Sequence, residues 1–154
     1  MVRIATINDL PRINELRRQV NDLHVAGRPQ HFKAGFSQEL QDFAKAFLDE
    51  ENRDILVAER DGEICGIACV SYVERPETHY RYALRYYEIE EFCVDAACRR
   101  RGVATELFAF IKADAAARGF DRIDLNMWEF NEEALAFYEA MGMKTYRRYL
   151  ELEL

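Results

Sequence analysis

No stretch of this 154-residue chain approaches the roughly 20 consecutive apolar residues that a bilayer-crossing helix needs. The opening Met1-Val2-Arg3-Ile4-Ala5 also lacks the apolar block of a secretory leader, so a soluble cytoplasmic protein with no membrane partner is expected. Basic charge is in deficit. The 21 Lys and Arg face 28 Asp and Glu, and the resulting formal charge of −7 argues against a nucleic-acid partner. The four cysteines, Cys65, Cys69, Cys93 and Cys98, include no C-x-x-C pair, and His24, His31 and His79 show no metal-ligand spacing. Neither a metal site nor a disulfide framework is expected, and the cysteines read as small buried hydrophobes of a reducing compartment. Walker A and G-x-G-x-x-G loops are missing too, as are repeats, linkers and low-complexity segments.

What is present fits one domain over residues 1–154. At 49% hydrophobic and 32% charged, the chain has the composition of a globular protein rather than a disordered one. Met1 to Ile7 alternates as a strand does, and Asn8-Asp9-Leu10-Pro11 offers capping side chains and an early proline to a helix. That helix carries Leu10, Ile13, Leu16, Val20 and Leu23 on one face and ends near Gly27. Ser37 caps a second helix, with Leu40, Phe43 and Phe47 on its buried side. Asp61-Gly62 joins the runs Ile55 to Ala58 and Ile64 to Val73 as a hairpin. Tyr86 to Val94 reads as the next strand, but Glu88, Glu90 and Glu91 interrupt it with carboxylates that an ordinary core strand would not carry. A helix over Gly102 to Arg118 is followed by a strand over Ile123 to Trp128 and a helix capped by Asn131. The alternating Leu150, Leu152 and Leu154 suggest a closing strand. The expected fold class is α/β, a mixed sheet with helices on both faces.

Two segments carry chemistry. Val94 to Thr105 passes from a strand end through Arg99-Arg100-Arg101 into a helix start. There the unpaired N–H groups and the dipole favour an anion, and Gly102 with Ala104 permits close approach to the backbone. On the last helix Tyr138 follows Asn131 by two turns, and strand alternation sets Glu88 and Glu90 on one face with Glu91 on the other.

Arg99-x-x-Gly102-x-Ala104 resembles the R/Q-x-x-G-x-G/A signature of the GNAT superfamily of acyl-CoA N-acyltransferases. Asn131-x-x-Ala134-x-x-x-Tyr138-x-x-x-Gly142-Met143 is similar to that superfamily's second motif, with Met143 in place of an aromatic. The resemblance covers essentially the whole chain. It implies a mostly antiparallel, twisted sheet with a splayed central strand pair and acetyl-CoA as co-substrate. Its pyrophosphate would lie on the loop of Arg99, Arg100, Arg101, Gly102, Val103, Ala104 and Thr105, and its pantetheine arm along Phe92 and Val94, with Asn131 beside the cleft. It further implies Tyr138 as the acid that protonates the leaving thiolate. For the base, Glu90-Glu91-Phe92-Cys93-Val94 is similar to a stretch of polyamine and thialysine acetyltransferases, and Glu88 sits where histone acetyltransferases of the superfamily carry theirs. Glu90 is favoured, then Glu91. Asn126 stands where ribosomal-protein N-terminal acetyltransferases carry a glutamate.

The implied acceptor is a primary amine of a small molecule. A protein lysine or N-terminus is the alternative, and a non-catalytic CoA-binding module is the rival class. A second copy of the chain is kept open as a partner. The acceptor end would be shaped by residues 24–36 and 74–86. There the net charge and the strand carboxylates favour a cationic amine, while Arg28, His31, Arg75 and Arg81 favour an amine that also bears a carboxylate.

Overall fold

In the computed structural model, which describes residues 1–154, five strands form one sheet in the order β1-β2-β3-β4-β5. The chain runs β1 (Val2–Ile4), α1 (Leu10–Gly27), α2 (Gln38–Leu48), β2 (Arg53–Arg60), β3 (Glu63–Arg75), β4 (Leu84–Val94), α3 (Val103–Ala117), β5 (Ile123–Leu125) and α4 (Glu132–Ala140). Strands β1 to β4 are antiparallel neighbours; β5 returns through α3 to lie parallel to β4. The fold is thus the expected α/β domain with a mixed sheet.

Alternation along the strands divides the interior into two cores. Ile55, Val57, Ile67 and Cys69 pack with Ile13 and Leu16 of α1 and Ala44 and Phe47 of α2. Leu56, Ala58, Ala68, Val70, Tyr87 and Ile89 pack on the opposite face with Leu107 and Ile111 of α3 and Tyr138 of α4. The turns follow their residue chemistry. Asp61 and Gly62 have φ of 54° and 84°, the left-handed pair that a two-residue hairpin turn requires. Ser37 Oγ accepts the Leu40 N–H at 3.4 Å and Asn131 Oδ1 accepts the Ala134 N–H at 3.2 Å, each capping its helix.

Four expectations are corrected. The first strand ends at Ile4, because the Asp9 carboxylate takes the Thr6 N–H at 2.7 Å and turns the chain into a short 3₁₀ segment; it does not cap α1. The fifth strand stops at Leu125 instead of running to Trp128. Leu40 and Phe43 of α2 are 36% and 40% exposed, since Ala44 and Phe47 meet the sheet and Phe43 lies against the Arg17 guanidinium. The tail forms no closing strand. Leu150, Leu152 and Leu154 are exposed, and the segment is held by polar contacts of Tyr146 and Glu151.

The Arg3 guanidinium donates to both Asp9 oxygens, at 2.8 and 3.0 Å, and lowers that carboxyl from its usual range to about 2. A depressed carboxyl stabilises the fold above its unfolded value of about 3.9, and the contribution is lost as pH falls through the folded value. Asp9→Asn should therefore cost about 1 kcal/mol at pH 7. In urea unfolding, the gap from wild type should close between about pH 4 and pH 2.

Candidate active site

Strand β4 is eleven residues long, but β5 pairs with only three of them, Tyr87, Glu88 and Ile89. Beyond Ile89 and Leu125 the two strands part, so one edge of β4 from Glu90 to Val94 has no neighbouring strand and its backbone groups face an open cleft. Phe92 and Val94 project to the α3–α4 side, with the Phe92 ring 5.8 Å from Phe137 and 6.1 Å from Tyr138.

The other edge of β4 carries a bulge at the same place. Glu91 pairs with Cys69 and Ile89 with Val70, leaving Glu90 as an extra residue. The face assignment of the three carboxylates is corrected here, because strict alternation holds only for an unbulged strand. Glu88 pairs with Ser71 and Glu91 with Cys69, both on the α1–α2 face, and Glu90 accepts the Ser71 hydroxyl on that face too. All three carboxylates therefore lie together on the side opposite Tyr138.

Their surroundings differ. Arg17, reaching from α1, forks onto Glu91 with contacts of 2.7 and 3.0 Å and also donates to the Leu40 carbonyl. Arg17 is only 5% exposed, so Glu91 is committed to an ion pair under α1. Glu90 takes the Ser71 hydroxyl and has Arg53 at 3.6 Å. Glu88 forms no ion pair; burial first, then the charges of Glu90 and Asp124, raise it above the usual carboxylate range.

At the far end of β4, Asp95 accepts the Ala97 N–H at 2.8 Å and pairs with Arg12 of α1, which fixes the turn into the basic loop. Arg100 and Gly102 adopt φ of 60° and 75°, a left-handed conformation, and α3 begins at Val103. No acceptor within the chain takes the N–H groups of Arg99 through Thr105, and the first bond of the helix is Glu106 N–H to the Gly102 carbonyl. Seven consecutive unpaired amides at a helix start form an anion cradle. Arg99 and Arg101 make only loose pairs at 3.5 Å, with Glu133 and Asp61, and both remain about half exposed.

Tyr138 is 8% exposed, and burial alone pushes its phenol well above the usual value. It therefore stays protonated at neutral pH, packed between Phe92, Phe108 and Phe137. Asn131 uses its side-chain oxygen to cap α4.

On the carboxylate side, the end of α1 and the segment after β5 meet in an aromatic cluster. His24 stacks on Phe32 at 5.1 Å, and Phe32 meets Trp128 edge-on at 5.2 Å. Gly27 permits this meeting, since a Cβ there would lie 2.4 Å from the Phe130 ring. Trp128, Phe130, Glu129, Glu132, Arg28 and Glu151 help to line a cavity of about 500 Å³. Of the two segments expected at the acceptor end, residues 24–36 contribute to this cluster, whereas residues 77–82 of the second line a separate pocket; Trp128 and Phe130 were not among the residues expected here. Their aromatic character after a short strand was the available signal.

Residues 17–143 match the Acetyltransferase (GNAT) family, and the chain belongs to it. Over 108 residues the chain is 27% identical to human N-acetyltransferase 8; the match covers 69% of this chain and 45% of that protein, so the chain spans under half of that relative. The tetramutant of the BH1408 protein from Bacillus halodurans superimposes with a TM-score of 0.95 at 26% identity, covering 100% of this chain and 99% of that one. The aminoglycoside N-acetyltransferase AAC(6')-Iy in complex with CoA shares the fold at a TM-score of 0.78 and 17% identity, covering 100% of this chain and 93% of its own.

The Arg17–Glu91 pair makes a structural prediction. Arg17→Met leaves Glu91 unpaired beneath α1 and should cost about 2–3 kcal/mol in urea unfolding. Replacing both partners, Arg17→Met with Glu91→Leu, should recover most of that loss.

Proposed function

We propose that the protein transfers an acetyl group from acetyl-CoA directly to the primary amine of a small molecule, within a ternary complex. The observation that carries this reading is the cleft itself. It has an anion cradle at one end, an unpaired strand edge along its length, and a protonated tyrosine and a raised carboxylate on its two sides. The amides of Arg99 to Thr105 suit a pyrophosphate, and the free edge of β4 suits the amide-bearing arm that follows it. An N–H on that edge stabilises the oxygen of the thioester carbonyl as negative charge develops.

In the transfer, the amine nitrogen bonds to the acetyl carbon and the carbon–sulfur bond breaks. Tyr138 supplies a proton to the departing sulfur, which its raised phenol still holds at neutral pH. The amine must lose a proton. We assign its removal, directly or through water, to Glu88, which has no cation attached and binds protons more readily than an ordinary carboxylate. Glu90 lies beside it and raises it; Glu91 is occupied by Arg17. A cysteine-bound acyl intermediate is disfavoured, because burial pushes the Cys93 thiol up to about 12.

CoA release on a panel of amines and a short lysine peptide tests the reading. Small amines should be substrates. Turnover of the peptide alone would transfer the assignment to protein acetylation, and binding of CoA without turnover of any acceptor would make the protein a binding module.

Tyr138→Phe should lower kcat by about 10²- to 10⁴-fold while leaving CoA affinity, measured by calorimetry, nearly unchanged. For Glu88 the pH profile is diagnostic. The base works only when ionised, so kcat/KM should rise with pH through a limb lying above the ordinary glutamate value of about 4.3. Glu88→Gln should lower the rate and abolish that limb, whereas Glu90→Gln should keep the limb and move it to lower pH.

A further inference from the structure

The cavity beside the cleft contains one arrangement that the transfer chemistry does not use. Arg28 leaves the end of α1 with its N–H bonded to the His24 carbonyl at 2.9 Å, so its backbone is fixed. Its guanidinium lies 5.1 Å from the Trp128 ring centroid, its side chain is 21% exposed, and its Nε is buried without an acceptor. The two terminal nitrogens fork onto the Glu151 carboxylate, at 2.7 and 2.9 Å. Glu151 belongs to the extended tail, between Leu150 and Leu152, which are 94% and 85% exposed. Nothing apolar holds that stretch down. The carboxylate has been brought to Arg28, and a flat guanidinium resting on an indole accepts any carboxylate with the same geometry.

We propose that Arg28 is the acceptor-recognition residue and that the acceptor is an amino acid in the broad sense, an amine that also carries a carboxylate. Glu151 occupies the place of that carboxylate and competes with it. This rests on the transferase reading above and names its substrate class. The position is suitable. Trp128 follows Leu125 by three residues, at most about 11 Å of chain, and Leu125 pairs with Ile89 next to Glu88. Two aromatic side chains, Trp128 and Phe130, stand in a lining that is otherwise mostly polar and carries both charges. Arg28 receives the carboxylate, Trp128 and Phe130 pack the carbon skeleton, and the unpaired Glu129 and Glu132 at the rim favour the positive end of the molecule.

The test is a series of amino acids from glycine to 6-aminohexanoate, with phenylalanine and lysine, each compared with its carboxamide. At the best spacing, the free carboxylate should have a KM about tenfold lower or better than its amide. Arg28→Gln should abolish that difference without shifting the thermal midpoint. Glu151→Gln should lower KM for the carboxylates alone, by about two- to fivefold, the strength of an exposed ion pair. Equal or better use of the amides at every spacing, or discrimination that survives in Arg28→Gln, would overturn the proposal. Calorimetry of the same pairs with CoA-saturated protein separates this from the transferase reading. Carboxylate preference in binding with no CoA release keeps the Arg28 site and refutes the transfer, whereas turnover of amines with no preference does the reverse.

Discussion

The site depends on one extra residue. At Glu90 the β4 strand carries a bulge where β3 does not, and one residue earlier, on the opposite edge of β4, Ile89 is still paired with β5. A bulge increases local twist and bends the strand that carries it. Here the bulge coincides with the point where β4 and β5 part, so the ladder's irregularity and the mouth of the cleft lie at the same residues. The same insertion turns Glu91 to the face of Glu90, where Arg17 meets it from α1. Helix α1 is thereby tied to the bulge by a nearly buried ion pair, and the apolar packing of Ile13 and Leu16 is tied to the shape of the site.

Charge is divided across the sheet. An acidic protein presents seven unpaired amides and three arginines at one end of the cleft, while Glu88, Glu90 and Asp124 gather on the opposite face. The two ends of the cleft thus carry opposite electrostatic character. Burial and the neighbouring charges of Glu90 and Asp124 raise the proton affinity of Glu88, and the apolar side of the cleft keeps Tyr138 neutral.

Most of the scaffold was legible in the sequence because its signals are local. Asp61-Gly62, Ser37 and Asn131 each act within a few residues, and the structure uses each as its chemistry requires. The basic loop and the tyrosine helix were legible through motif spacing. What escaped depends on register and tertiary contact. Alternation could not reveal a bulge, so Glu91 was assigned to the face opposite Glu88 and Glu90, whereas it shares theirs. Helical periodicity could not show that Phe43 lies over Arg17, because Arg17 belongs to another helix. The alternating tail looked like a strand, yet it has no ladder, and its exposed leucines show that pattern alone does not supply a partner.

The loop before α3 has a consequence for sequence drift. Its anion cradle is made of main-chain N–H groups, which every residue except proline possesses. Side chains from Arg99 to Thr105 can be exchanged one at a time without removing a donor, provided that positions 100 and 102 keep their left-handed backbone. The arginines set the charge of the loop, and the direction of its amides resides in the two positive φ angles. The loop thus tolerates change in its exposed side chains better than change in its backbone shape, with Val103, which is packed in the core, as the exception.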